Sequence, residues 1–223
     1  MDRPEGASGK YPFDLPQQVY EGIHAMNAKL GDRPRGGLLL LLSSLLLPAL
    51  AGAKKRSARM KCANNLGQLT KAFTGFGHDN NERLPWQLTK SQIKNHFGEY
   101  YEEELSAIFS VSSLKHEYQT ARVLHSPCDP VRESNNELAQ ENFSTYNTRD
   151  GTKLPWDSIS YLLTRGADMG RPSSIIATTR NLSHDDLALA HWRGANEVPV
   201  NDQVMARLNR SQGQLALADG SVH

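Results

Sequence analysis

The feature that most constrains the fold is an uncharged, leucine-rich stretch over residues 36–53. It reads "GGLLLLLSSLLLPALAGA", 18 residues without one charge. A helix of that length rises roughly 27 Å, slightly less than the ~30 Å hydrocarbon core of a bilayer. We expect a membrane anchor. Two alternatives stay open: the core of a cleaved secretory signal, which ends in small residues such as "ALAGA", and a buried core helix.

The stretch runs into an amphipathic pattern without a clear turn signal. With Cys62 as the origin of a helical wheel, steps of 4, 3, 4 and 3 lead to apolar residues within about 40° of it. These residues are Leu66, Leu69, Phe73 and Phe76. Glycines followed by "HDNN" end the pattern at Gly75 or Gly77. The sequence therefore predicts a single helix of about 40 residues and ~60 Å, with an apolar lower half and a two-faced upper half.

Charge gives two further indications. Five basic residues, Lys54, Lys55, Arg56, Arg59 and Lys61, follow the uncharged stretch. The positive-inside rule taken alone would keep the C-terminal part in the cytoplasm. The segment "KKRSARMK" is typical of a collar at the level of lipid headgroups. Lys and Arg number 25 against 24 Asp and Glu, so bulk charge does not favour nucleic acid as a partner.

Three stretches carry a resemblance to a known family. They are 45–86 ("LLLPALAGAKKRSARMKCANNLGQLTKAFTGFGHDNNERLPW"), 159–182 ("ISYLLTRGADMGRPSSIIATTRNL") and 209–223 ("NRSQGQLALADGSVH"). Together and in this order they resemble type IV pilin-like proteins and type II secretion pseudopilins. The nearest group is the prepilin-type proteins with a C-terminal H-x9-DG motif, abundant in planctomycetes and verrucomicrobia.

The chain departs from the family pattern at two positions. The family's helix begins Gly-Phe-Thr-Leu-Ile-Glu and is cut after the glycine. Here Gly37 is the candidate cleavage position, and the fifth residue after it is Leu42 where the family has glutamate. The motif histidine is replaced by Asn209, ten residues before Asp219. Asn209 forms hydrogen bonds but does not titrate near neutral pH.

The resemblance implies a non-enzymatic structural subunit of a type II secretion or type IV pilus-like apparatus, without cofactor or metal. Its implied partners are other pilin-like subunits through the apolar stem, a prepilin peptidase if the chain is processed, and the membrane. The implied location is the inner membrane, with the head in the periplasm or at the cell exterior. Residues 38–47 are the expected stem contacts.

The predicted fold class is α+β, a long N-terminal helix packed on a small antiparallel-sheet head. We divide the chain into a polar appendage with a short amphipathic helix (1–35), the stem helix (36–77) and the head (78–223). In the head, "SISYLLT" and "SSIIATTR" are typical of strands. The segment "GQLALADGSVH" indicates a hairpin whose turn is Asp219-Gly220. We also expect helices at 89–97 and 102–117, a short strand at 121–130 and a polar surface loop at 131–153.

The two cysteines are Cys62, on the apolar stripe, and Cys128, in "SPCDP". We predict a disulfide between them, which would close a loop of about 66 residues and stabilise the fold by roughly 4 kcal/mol. Such a bond requires an oxidising compartment and would decide the orientation against the basic cluster. The alternative is two separate buried thiols.

Two other functional hypotheses remain. One is an anchored or secreted head that binds a glycan or another ligand without polymerising, as a degenerate family member. The other is a hydrolase that uses His184, Asp185 and His191 around a metal. A solvated turn is the simpler interpretation of that cluster. The sequence contains neither a G-x-S-x-G elbow nor a glycine-rich phosphate loop.

Overall fold

The computed structural model describes residues 34–99, 104–184, 186–194, 205, 208 and 212–223, without the side chains of 34–45 and 48. Two units are distinguished along the chain, Met1–Ala53 and Lys54–His223. The predicted appendage helix lies outside the described residues. Over the described part, none of the helices is both long enough and apolar enough to cross a membrane.

Five α-helices are assigned in the described residues: α1 (Pro34–Asp79), α2 (Lys90–Phe97), α3 (Leu105–Phe109), α4 (Ser112–Tyr118) and α5 (Glu133–Glu141). The predicted helix at 89–97 is confirmed as α2. Its start is set by a capping box, in which the Thr89 side chain accepts from the Gln92 backbone N–H while the Gln92 side chain accepts from the Thr89 backbone N–H. Gly98, at φ +72°, ends the helix.

The second unit is organised around the apolar stripe of α1. Cys62, Leu66, Leu69, Phe73 and Phe76 are each at most 1 % exposed and belong to one hydrophobic core. The same core includes side chains from the helical region and from the sheet, and the Phe73 ring lies near the rings of Trp86 and Phe109. The predicted periodicity therefore identified the buried face of the helix correctly.

Three short strands form one antiparallel sheet in the order β1 (Tyr161–Leu163), β2 (Ile175–Thr179) and β3 (Leu215–Leu217). Tyr161 pairs with Thr179 across β1 and β2. The pairing of β2 with β3 shifts register between Ile175 and Ala177. Four consecutive residues of β2 are buried, as expected for a central strand covered on both faces. With its helices, this sheet confirms the α+β class.

Three predictions for the helical region are wrong. Residues 121–130 do not form a strand: Ala121–Leu124 is a 3-10 turn, and the Thr120 side chain caps it. Residues 131–153 are not a surface loop, because they contain α5, whose Asn136 and Ala139 are buried. The single helix expected at 102–117 is two, α3 and α4, separated near Ser110. There the Ser110 hydroxyl donates to the Ser106 carbonyl oxygen and accepts the Leu154 N–H.

Truncating the stripe should destabilise the second unit strongly. Phe73 is fully buried, with its ring centroid 5.9 Å from both Trp86 and Phe109. We expect Phe73→Ala to lower the free energy of unfolding by about 3–5 kcal/mol, because a cavity replaces an aromatic ring. Met60→Ala is the matched control on the same helix, since Met60 is 62 % exposed. It should change stability by no more than about 0.5 kcal/mol. Equal midpoints in urea for the two variants would contradict this packing.

Candidate functional site

The predicted cysteines lie in one buried polar cluster, which we call the cysteine cluster. It forms where α1, the turn after the 3-10 segment Ala121–Leu124 and the sheet come together. Its members are Cys62, Ser126, Cys128, Asp129, Tyr161 and Arg180, all of them buried. The Tyr161 hydroxyl lies 3.6 Å from the Cys62 sulfur. Residues 99 positions apart therefore meet at this point.

The local sequence explains how the turn carrying Cys128 is held. The Asp129 N–H donates to the Ser126 carbonyl oxygen at 2.8 Å, and the Cys128 N–H donates to the Ser126 hydroxyl at 3.2 Å. From α1, the Asn65 side-chain amide donates to the His125 carbonyl oxygen at 2.8 Å. Asn65, which lies beside the apolar stripe, thus connects the turn that carries Cys128 to α1.

The strongest electrostatic interaction of the cluster is a buried ion pair. Arg180 donates from Nε to Asp129 Oδ2 at 2.6 Å and from Nη2 to Oδ1 at 2.7 Å. Their side chains are 4 % and 0 % exposed. A bidentate pair of this kind satisfies both carboxylate oxygens in a place that water does not reach. Sequence reasoning missed both residues, because no motif links positions 51 apart.

A second arginine lies beside this pair. Arg132 donates from Nη1 to the carbonyl oxygens of Trp156, at 2.7 Å, and of Ile159. Burial, and secondarily the nearby positive charge of Arg180, lower the pKa of Arg132 to about 10. Its guanidinium therefore stays protonated at neutral pH and anchors the segment that precedes β1.

The structure contains Cys62 and Cys128 as buried thiols and not as a disulfide. Burial raises the pKa of the Cys62 thiol to about 11, although hydrogen bonds with Ser126 and Tyr161 act in the opposite direction. A thiol with this pKa is protonated at neutral pH and is a poor nucleophile. The predicted disulfide between Cys62 and Cys128 is thus absent from the structure. Its formation in an oxidising compartment stays a prediction.

The motif turn is described at two of its three positions. Asp219 Oδ1 accepts the Ser221 N–H at 2.8 Å, and Gly220 has φ +88°. The hydrogen bonds to the Ser221 side chain and backbone lower the pKa of Asp219. After this turn the chain runs back along β3, and Val222 forms an isolated antiparallel bridge with Ala216. Asn209 lies outside the described residues.

The other predicted positions are less informative. For Gly37 the helical backbone is described but nothing beyond it. Asp185 lies outside the described residues. The Ser183 hydroxyl lies 2.9 Å from His191 Nδ1 and accepts the backbone N–H of the same histidine, which closes an exposed turn. Among described residues, no group of three or more His, Cys, Asp or Glu side chains could hold a metal ion.

Comparisons of the chain with protein-family models, with curated proteins and with solved structures found no match.

Separating the buried ion pair should be costly. Arg180→Met leaves the Asp129 carboxylate buried without its bidentate partner, and we expect a loss of about 3–5 kcal/mol in the free energy of unfolding. Arg171→Met is the control, because Arg171 is 79 % exposed and lies 3.8 Å from Asp168. It should cost no more than about 1 kcal/mol. The double variant Asp129→Leu/Arg180→Met should recover part of the loss; additive losses in urea titrations would argue against direct coupling.

The Cys62 thiol should make stability depend on alkaline pH. The unfolded chain loses this proton near pH 9.0, whereas the folded chain keeps it up to about pH 11. The stabilisation from keeping this thiol protonated is therefore full below pH 9.0 and is lost as the pH rises through about 11, by at most about 3 kcal/mol. Urea unfolding between these values should show a shallower decline for Cys62→Ala than for the parent. Parallel profiles would contradict the raised pKa.

Proposed function

We propose that this chain is a non-enzymatic, pseudopilin-like structural subunit of a type II secretion or type IV pilus-like apparatus. The observation that supports the proposal most directly is the burial of the α1 stripe, from Cys62 to Phe76, in the core of an α+β unit. A helix whose C-terminal half belongs to the head is the architecture that the sequence resemblance implies. The predicted stem, residues 36–77, falls within α1, Pro34–Asp79.

The two halves of α1 would have different tasks in such a subunit. Residues 36–53 carry no charge and would anchor the chain in the inner membrane and contact the stems of other pilin-like subunits. The basic residues from Lys54 to Lys61 would interact with lipid headgroups. Residues from Cys62 onward would transmit any displacement of the stem to the head, because their side chains are part of its core.

Assembly would have to work without one electrostatic interaction. In the resembling family, a glutamate five residues after the cleavage point neutralises the N-terminal amine of a neighbouring subunit. Here that position is Leu42. An unpaired amine in a low-dielectric bundle is costly. A subunit lacking the glutamate is therefore expected to join an assembly at a position where its amine is not buried, such as an end.

The second candidate is an anchored or secreted head that binds a ligand without polymerising. The observation that favours it is the same leucine, together with an uncharged stretch slightly shorter than a bilayer's core. The two candidates differ in whether the stem assembles with other subunits, and both contain the same head. An experiment on the stem can therefore decide between them.

The deciding experiment combines processing with assembly. The full-length chain is co-expressed with a prepilin peptidase and a pilin-like partner, and the mature N-terminus is identified by mass spectrometry. We expect the mature chain to begin at Leu38. Gly37→Val should block cleavage, and the control Gly36→Ala should be cleaved like the parent. Cross-linking of membranes should then give more mixed oligomers for Leu42→Glu than for the parent, because the new carboxylate pairs with the amine.

The matched control is Leu41→Glu, which adds the same charge one position away and should not increase assembly. If the chain begins at Met1, and neither Leu42→Glu nor Leu41→Glu increases the amount of mixed oligomers, the pseudopilin-like proposal is rejected. That result would favour a head that binds a ligand without polymerising.

A further inference from the structure

The tripeptide Leu-Pro-Trp occurs twice, at 84–86 and at 154–156. The two copies share two features. Their leucines are at most 1 % exposed, and a 3-10 turn begins within each copy, at Pro85 in the first (Pro85–Gln87) and at Trp156 in the second (Trp156–Ser158). In each copy the leucine anchors the chain in the core. Although 70 residues separate them in sequence, both tryptophans line the same groove.

The groove has the size of a small-molecule site. Its volume is about 680 Å³, within the roughly 300–1,000 Å³ typical of ligand pockets. Trp86 and Trp156 line it together with Leu105, Leu163 and Pro155. Scattered exposed apolar residues are ordinary on a protein surface, whereas two indoles that share a concave site are not.

Trp156 is exposed and yet held in place. Its side chain is 65 % exposed. The Arg132 guanidinium lies 4.6 Å from its ring centroid and also donates a hydrogen bond to its carbonyl oxygen at 2.7 Å. Cation–π contact and backbone anchoring together limit the motion of the indole. A rigid exposed ring loses little conformational entropy when a ligand stacks against it.

Trp86 is also held in place. Its Nε1 donates to the Ala167 carbonyl oxygen at 3.0 Å, and its ring lies 5.9 Å from Phe73 in the core. Its polar atom is thus already satisfied, so the indole can offer a ligand its ring surface but no hydrogen bond.

Charged side chains complete the lining. Glu104 and Lys153 form an ion pair at 3.6 Å, and Arg165 also lines the groove. These groups donate and accept hydrogen bonds next to the indoles. The described part of the rim therefore carries both donor and acceptor groups.

We propose that this groove binds a saccharide. A pyranose ring presents a flat face of C–H groups and an edge of hydroxyls, which match the indole surfaces and the charged rim respectively. Single-stranded nucleic acid also stacks on aromatic rings, but it needs a basic track along its phosphates, and the described lining supplies two cations, one of them paired with Glu104.

The test is ligand-observed NMR on the full-length protein with three probes: hexagalacturonic acid, cellohexaose and a hexathymidylate. We expect cellohexaose, hexagalacturonic acid or both to bind with a dissociation constant of about 1 mM or below. Trp156→Ala should weaken that binding at least about tenfold, because a stacking platform is lost. Trp192→Phe is the matched control, since Trp192 lies outside the groove and packs over Gly213. It should bind like the parent, and circular dichroism checks that both variants fold.

Three results would overturn the proposal: no saccharide binding at about 10 mM, unchanged binding by Trp156→Ala, or tighter binding of the hexathymidylate. Because this readout does not require assembly, its failure would leave the pseudopilin-like proposal untouched, and a failure of that proposal would not affect this one.

Discussion

Burial of the α1 stripe is the interaction on which the rest of the second unit depends. Five side chains between Cys62 and Phe76 are at most 1 % exposed, and the sheet alone, with three strands of three to five residues, is too small to form a stable core. The helices that the structure describes after Asp79 are also short, with at most nine residues, so none of them could supply a comparable apolar surface. The helix is therefore the central element, and the later segments fold around it.

The buried charges are a consequence of this arrangement. Asp129 is completely buried. The turn that carries it is held against α1, because Asn65 donates to the carbonyl oxygen of His125, the residue before the turn. A carboxylate in that position requires a partner, and Arg180, at the end of β2, provides it with two hydrogen bonds. The pair thereby connects the turn to the sheet. The same environment keeps the Cys62 thiol protonated, which is consistent with a structural role for the cysteine cluster and not a catalytic one.

The two proposals assign different functions to different residues. In the first proposal the uncharged stretch and the basic residues after it would serve anchoring and assembly, and in the second the two Leu-Pro-Trp segments would serve recognition. A pilin-like subunit with a saccharide groove on its head would combine them: the stem would determine where the head is displayed, and the groove what it contacts. Either function could also exist without the other, and so the two experiments use separate variants.

The sequence by itself determined the features that repeat over a few residues. The 3.6-residue period from Cys62 to Phe76, the Thr89 cap and the aromatic and β-branched residues in and around β1 and β2 are local patterns, so they predicted the buried helix face, α2 and two strands. Tertiary structure decided what depends on distant partners. Residues 131–153 are polar enough to suggest a loop, but α5 forms there because Asn136 donates to the carbonyl oxygens of Ala121 and Ser158. The Asp129–Arg180 pair and the shared groove of Trp86 and Trp156 likewise depend on contacts between segments 51 and 70 positions apart, because spatial proximity of that kind is set by packing and leaves no period in the sequence.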